Sequence, residues 1–275
     1  MTRRKKCALF FLSVKVRQGA TRAALATIFH RQGKLERALE YFQAAENMHK
    51  RVEPTRFLHS VPGVYYCALL LDMATHEEQE EVLQRAEKIL KDYPHSKRYP
   101  LIHALHHLNK GLVLTELRRW DAAGWALEDA LEGINKNYKL QFACPPLLAR
   151  ATYWRLRGAS GKARADLEQV LSISRDCHMS LYQADAQLLL GHVALDDHQQ
   201  DNASTAFQAA EKLINTHGYE LRRYELDLLH VRLLHVTNNT RQAREKLKKT
   251  REHFEQIGYK RLHQQAERIE NELDS

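Results

Sequence analysis

The chain has 275 residues, of which 44% are hydrophobic and 28% charged, a composition that can build a core and that excludes a disordered protein. Only 11 glycines and 6 prolines are present, which disfavours an all-β sandwich or barrel because such folds need many turns. The formal net charge is +8, and the positive excess is concentrated in residues 1–60. The composition therefore predicts an all-α fold with one basic end.

The N-terminal segment, residues 1–18, joins a basic run to the apolar stretch 7–12. It is similar to the start of a signal peptide, but Lys15 interrupts the apolar stretch and no small-residue cleavage site follows. No stretch of the chain reaches the length of about 18 apolar residues that a membrane span needs. A segment that is apolar on every side needs a packing partner, so we predict that residues 7–18 are the remnant of a preceding helix and a surface for self-association.

The cysteines do not form a disulfide framework or a metal motif. Four are present, at Cys7, Cys67, Cys144 and Cys177, and none belongs to a CxxC pair. We expect reduced, mostly buried thiols and a cytoplasmic protein.

Five segments repeat one pattern: a small or medium residue, a polar turn, an alanine after the turn, and a bulky residue four positions beyond that alanine. A small residue lets a second helix pack closely, and the bulky residue fills the space between pairs. The pattern therefore predicts antiparallel helix pairs. The alanines are Ala38, Ala123, Ala163, Ala203 and Ala243, and the bulky residues are Phe42, Leu127, Leu167, Phe207 and Leu247.

The predicted turns recur at a nearly constant interval, which indicates one continuous array. They are separated by steps of 44, 41, 40, 40 and 40 residues. A step of about 40 residues lies between the shorter and the longer families of helical repeats. The turn positions are Gly33, Glu77, Arg118, Gly158, His198 and Asn238.

These motifs resemble the tetratricopeptide repeat (TPR) family, which places Gly or Ala in the first helix and Ala, a bulky residue and Ala in the second. The resemblance implies a right-handed α-solenoid of antiparallel helix pairs over 19–257. The chain is also similar to the TPR tails of bacterial signalling NTPases and MalT-type regulators, whose repeats run near 40 residues. A HEAT-like array is the alternative architecture. The predicted copies are 19–52, 104–137, 144–177 and 184–217, with degenerate copies at 63–97 and 224–257.

The last segment, 258–275, has an apolar face made by Leu262, Ala266, Ile269 and Leu273, with charged residues elsewhere. A terminal solenoid helix turns one face to the array and the other to water. We therefore predict a C-terminal capping helix.

No motif in the chain predicts a catalytic, cofactor or metal site. His103 and His107 share a helix face, but no glutamate follows His103 and no third ligand can be assigned. The segment 158–163, GASGKA, has too few residues before its GK pair for a phosphate loop, and Ala163 stands where that loop has Ser or Thr. A Cys/His nucleophile pair stays open, although nothing selects one. We expect no enzyme activity, no cofactor and no metal.

The TPR resemblance also implies a binding surface, because the first helices of TPR pairs line a concave face. In the family, ligand contacts fall at the second, fifth, ninth, twelfth and thirteenth positions of a repeat, which share one helix face. Leucines at many of these positions argue against a carboxylate clamp and favour an amphipathic helix or a mixed peptide as ligand. The alternative is that these leucines belong to the core. The predicted peptide-binding residues are Thr27, His30, Arg31, Leu108, Leu112, Thr115, Leu148, Thr152, Arg155, Leu188, His192, Leu228, Arg232 and His235.

The sequence as a whole predicts a non-catalytic interaction protein that binds a peptide or protein segment in a concave groove. The alternative is a ligand-sensing TPR domain of a bacterial transcription regulator or signalling NTPase whose effector domains are absent. Nucleic acid is not an expected partner, because that class rests on the basic start alone and no helix-turn-helix reader is present.

Overall fold

Helices make up the regular structure in a computed structural model that describes residues 18–51, 57–58, 60–92, 100–135 and 140–274. Helix α1 covers residues 18–31, and a 3-10 turn covers Leu140–Ala143. No strand occurs within these ranges, and the predicted all-α class is confirmed. The other helices are α2 (Leu35–Lys50), α3 (Ser60–Met73), α4 (Gln79–Asp92), α5 (Pro100–Glu116), α6 (Trp120–Asn135), α7 (Cys144–Leu156), α8 (Ser160–Asp176), α9 (Ser180–Asp196), α10 (Gln200–His217), α11 (Glu220–Val236), α12 (Thr240–Ile257) and α13 (Lys260–Asp274).

Consecutive helices pack as pairs around small residues. In the α5/α6 pair, a Cβ atom added at Gly111 would lie 2.7 Å from the Leu127 side chain, so the two helices approach more closely than any other residue would allow. Gly191 makes the same kind of approach to Leu229 of α11, the first helix of the next pair. Small residues therefore set the spacing both within a pair and between pairs.

The turns inside five of the pairs share one backbone conformation. Each is a three-residue link whose middle residue has a left-handed φ between 55° and 73°. This middle residue gives a common register in which positions of different pairs can be compared. It is Gly33, Arg118, Gly158, His198 or Asn238, which are five of the six predicted turn positions.

The first helices of the pairs form the inner layer of the solenoid. Each of α5, α7, α9, α11 and α13 contacts the first helix before it, whereas the described second helices make no contacts of similar extent with one another. Elements that approach their counterparts more closely lie on the inside of a curved array. The first helices therefore line the concave face.

The end of the array returns to its beginning. Helix α13 packs against α3, and one cluster of buried apolar residues includes members of both α1–α3 and α11–α13. Lys260 Nζ lies 2.9 Å from Glu78 Oε2, just before α4. Repeats of a solenoid ordinarily contact only their neighbours, so this contact closes the array into a single turn.

The apolar face predicted for the last helix belongs to α13, and its residues Leu262, Ala266, Ile269 and Leu273 are all buried. The division of the chain into repeats and a terminal cap stays a prediction. Residues 1–17 lie outside the described part of the chain, and the prediction of self-association through residues 7–18 falls almost entirely on them. Within the described ranges, no helix combines the length and apolarity that crossing a membrane requires.

Candidate binding face

Three first helices meet at Asp196, near the end of α9. Arg155 of α7 donates from Nε to Asp196 Oδ2 at 2.6 Å, and Arg232 of α11 donates from Nη2 to Oδ1 at 2.7 Å. Arg232 also lies 3.3 Å from His192 Nδ1 and donates to Glu272 of α13 at 3.2 Å. We call Arg155, His192, Asp196 and Arg232 the Asp196 cluster.

The two guanidinium groups set the charge states in the Asp196 cluster. Burial by itself would raise the pKa of Asp196, but the attraction and hydrogen bonds of Arg155 and Arg232 outweigh it, and the pKa is lowered. Burial, together with repulsion from the same two arginines, holds the pKa of His192 well below its ordinary value. His192 is therefore neutral at pH 7, and its Nδ1 is available to accept a hydrogen bond.

A second set of charges joins both ends of the array, and we call it the Arg261 cluster: His30, Asp72, Glu116, Glu225 and Arg261. Arg261 Nε, on α13, donates to Asp72 Oδ1 of α3 at 2.7 Å. His30 Nε2 of α1 lies 2.7 Å from the other Asp72 oxygen. Glu116 of α5 and Glu225 of α11 lie 3.5 and 3.8 Å from the Arg261 guanidinium.

The charges in the Arg261 cluster favour the ionised forms of Asp72 and Arg261. Burial by itself would raise the pKa of Asp72, yet Arg261 and the hydrogen bond with His30 lower it to about 2. Burial likewise opposes the charge on Arg261, but Asp72 and the other acidic neighbours raise its pKa well above the ordinary value. The pKa of Glu225 is raised, because burial outweighs the attraction of Arg222 and Arg261.

Arg222 extends the Arg261 cluster along α11 and α9. Its guanidinium makes a two-pronged contact with Asp185, one arm of which is 3.2 Å between Nη2 and Oδ2, and donates to Glu225 at 3.2 Å. The clusters together bring side chains of α1, α3, α5, α7, α9, α11 and α13 to the concave face. This face is consequently polar and held together by ion pairs.

The structure brings four predicted site residues into these clusters. Arg155, His192 and Arg232 meet around Asp196, and His30 contacts Asp72. Arg31 is exposed and lies over the ring of Tyr65, with its guanidinium carbon 5.6 Å from the ring centroid.

The leucines predicted at the contact positions do not line a groove in the part of the chain that the structure describes. Leu108, Leu188 and Leu228 are 1–3% exposed and belong to the apolar core, and Leu112 and Leu148 pack against it. The alternative interpretation, in which these leucines are core residues, agrees with this placement.

The remaining predicted residues do not present free polar groups as a set. The hydroxyls of Thr27, Thr115 and Thr152 each donate to a carbonyl one turn earlier in their own helix, and Thr115 is buried. His235 is half-buried near the end of α11. The assignment of all these residues to peptide binding remains a prediction.

Sequence reasoning missed the acidic partners of the arginines. Asp185 and Glu225 occupy the second position of their predicted repeats, and Glu116 and Asp196 the thirteenth, so the family positions already contained the signal. Asp72 had no such signal, because it lies in the degenerate copy 63–97 and meets Arg261 only through closure of the array.

His103, His107 and the buried cysteines Cys67 and Cys144 have the following surroundings. His103 and His107 lie 3.3 Å apart between their Nε2 atoms, and His107 Nδ1 lies 3.3 Å from Asp129. In the part of the chain that the structure describes, no three His, Cys, Asp or Glu side chains are grouped to hold a metal ion. Burial raises the pKa of the Cys67 and Cys144 thiols to about 12, so neither is a thiolate at neutral pH.

The geometry defines the class of the protein as an all-α, TPR-like helical-repeat solenoid. No family model matches the sequence, and no curated protein matches it either. Among solved structures, the chain is similar to a Rap protein crystallised in complex with competence and sporulation factor, at 13% sequence identity and a TM-score of 0.65. The match covers 94% of this chain and 75% of the Rap protein chain. At this identity the likeness is one of fold, and it gives no support to the finer resemblance to NTPase tails or MalT-type regulators.

Proposed function

We propose that the protein is a non-catalytic interaction module that binds a peptide or protein segment on its concave face. The Asp196 cluster carries this proposal. Charged side chains from three successive first helices are held in place there, yet Arg155 and Asp196 keep 20% and 29% of their side-chain surface exposed. Side chains that are already ordered lose less conformational entropy when a partner binds.

The chemistry of the concave face defines the kind of segment it fits. With the leucines in the core, the exposed groups are guanidinium and carboxylate groups, including Glu272 beside Arg232. A segment with alternating charged and polar side chains can exchange hydrogen bonds with such a face. The Rap protein that shares the fold is complexed with a factor, which supports partner binding as a use of this architecture.

Photo-crosslinking tests whether a partner segment binds on the concave face, and two arginine variants provide the matched comparison. A photo-crosslinking residue placed at Thr152 on the concave face should capture a partner segment, and the same residue placed at the exposed Trp125 of α6 should not. Arg155→Ala should reduce capture from position 152 because Arg155 lies one turn further along α7. Arg164→Ala should leave it unchanged, because Arg164 pairs with Asp197 outside the Asp196 cluster. Equal capture from positions 125 and 152 would show that the concave face is not the binding surface.

The sensory alternative, a small-molecule domain of a bacterial regulator, has no separate observation in its favour among the described residues.

A cytoplasmic location belongs to the same proposal as partner binding. It rests on the free thiols, of which Cys67 and Cys144 are buried and Cys177 is exposed.

A further inference from the structure

One side of α1 is exposed although the matching side of later first helices is buried. Counting back five residues from the left-handed turn residue gives Ile28 in α1, which is 50% exposed. Nine residues before the turn residue, α1 has Ala24, which is also exposed. The residues that correspond to Ile28 in α5, α7, α9 and α11 are at most 8% exposed, and they are Val113, Tyr153, Val193 and Leu233.

In the later pairs, the second helix of the preceding pair covers this side of the first helix. The hydroxyl of Tyr153 lies 3.0 Å from the place of a Cβ atom at Gly124 in α6, the second helix before α7. Val193 of α9 belongs to the same buried cluster as Ala163 and Leu167 of α8. The later pairs therefore show which kind of element this side of α1 fits, namely a helix packed along it.

The position eight residues before the turn residue indicates which side chain the covering helix brings. In α7 this position is Arg150, which donates to Glu128 of α6 at 2.8 Å. In α11 it is His230, which lies against Phe207 of α10 with ring centroids 5.0 Å apart. In α1 it is Leu25, 38% exposed, which offers neither a charge nor a hydrogen bond and so fits a bulky apolar side chain rather than a carboxylate. We call Ala24, Leu25 and Ile28 the α1 face.

A groove beside Leu25 has room for such a side chain. It lies between α1 and α2 and has a volume of about 740 Å³. A bulky apolar residue of a covering helix would find apolar contacts there on both helices of the first pair. The apolar lining residues are Leu25, Tyr41 and Ala44, and the polar ones are Gln18, Thr21, Arg22 and Glu40.

We propose that the α1 face is a binding surface, in addition to the concave face, for an amphipathic helix of a partner protein. The partner helix packs on α1 as a second helix packs on the next first helix, with a bulky apolar side chain against Leu25. This interface recurs along the array from α2/α3 to α12/α13, and the α1 face continues it. Each second helix that the structure describes already packs on its own next first helix, which favours a separate partner over a second copy of the chain.

A peptide with the sequence of α10, residues 200–217, is a suitable probe because its Phe207 lies against the corresponding position of α11. A hydrocarbon staple between positions 208 and 212, both exposed in α10, keeps the peptide helical. A photo-crosslinking residue at Ala24 of the full chain should capture this peptide in a 1:1 adduct. Phe207→Glu in the peptide should raise the concentration for half-maximal capture about tenfold, because it puts a carboxylate against Leu25.

Two variants of the full chain complete the test. Ile28→Glu should weaken capture of the α10 peptide in the same way, because it puts a charge into the α1 face. Leu156→Glu is the matched control and should leave capture unchanged. Leu156 is also an exposed apolar residue of a first helix, at 38%, but it lies outside the α1 face.

The photoproducts separate the occupants of the α1 face. No adduct with the α10 peptide, or equal capture of the two peptides, would overturn the proposal. A product that joins position 24 to residues 1–17 of the same chain, formed in place of the adduct, would overturn it and assign the α1 face to the chain's own N-terminal segment. A covalent dimer in place of the adduct would also overturn it and assign the α1 face to a second copy.

Discussion

The two ends of the array treat their apolar faces in opposite ways. At the first end, Thr21, Ala24 and Ile28 of α1 are exposed, with Ile28 at 50%. At the last end, α13 buries its apolar residues on α11 and α12, and it reaches across to α3 through Arg261. The difference shows that contacts within the described array bury the apolar residues of α13, whereas they leave these residues of α1 exposed.

The contact between α13 and α3 can be broken by substituting Arg261. Arg261→Met leaves Asp72 buried beside His30 without its guanidinium partner, and we expect a loss of about 3–5 kcal/mol in unfolding free energy. Arg251→Met is the control, because Arg251 pairs with Glu270 between the adjacent helices α12 and α13. That variant should lose less than about 1 kcal/mol. Urea unfolding measures the unfolding free energy of both variants. Equal losses would show that the ion pair between α13 and α3 contributes no more to stability than the one between α12 and α13.

The ion pair between Arg261 and Asp72 also makes the stability of the protein depend on pH. The pKa of Asp72 is lowered from 3.8 to about 2 in the fold, so its ionised form stabilises the protein above the unfolded pKa. That stabilisation, about 2 kcal/mol, is lost as the pH falls from about 4 to about 2. The stability gap between the parent and Asp72→Asn should therefore narrow over this interval in urea titrations. A gap that stays constant with pH would contradict the assignment.

The interior of the array, where small residues set the helix spacing, is a reference for the two ends. Gly111→Ala places a methyl group 2.7 Å from Leu127 and should lower the unfolding free energy by about 1 kcal/mol through overpacking. Gly161→Ala, in α8, meets no atom within 4 Å and should instead raise it by about 0.5–1 kcal/mol through helix propensity. Thermal melts of the two variants should shift in opposite directions, and shifts in the same direction would refute the close approach.

The smallest expected effect is the difference in stability between a substitution in the first turn and the same substitution in an interior turn. Gly33 and Gly158 both have φ of +73°, so an alanine at either position should cost about 1 kcal/mol in backbone strain. At Gly33 a Cβ atom would also lie 3.0 Å from Tyr224 of α11, whereas no atom lies within 4 Å at Gly158. Gly33→Ala should therefore lose a few tenths of a kcal/mol more. The excess should vanish in a Tyr224→Leu background, measured by a double-mutant cycle.

The helix pairs were predictable because their signal is local. Ala123 and Leu127 lie four residues apart on one helix face, and both are fully buried. The turn residues Arg118, His198 and Asn238 were located by the repeated pattern around them, and their constant spacing indicated one array, even though none of them is a glycine. Short-range periodicity of this kind is read directly from a sequence.

The candidate binding face was only partly predictable, for two physical reasons. Leu108 and Leu228 fall at family contact positions, but a sequence does not reveal whether a leucine on a first helix points into the core or into a groove. Asp72 and Arg261 are 189 residues apart, and their contact depends on the summed curvature of all the pairs between them. Arg155 and Arg232 were easier to place than the leucines, because a charged side chain at a family contact position is seldom a core residue.

The return of α13 to α3 also changes how the molecule should fold. A linear array has low contact order, and its terminal repeats can unravel without disturbing the rest. Here the contact between Arg261 and Asp72 ties α13 to α3 across 189 residues of the chain, so α13 cannot fray without uncovering α3. Unfolding is consequently more cooperative, and folding slower, than the repeat architecture alone would give.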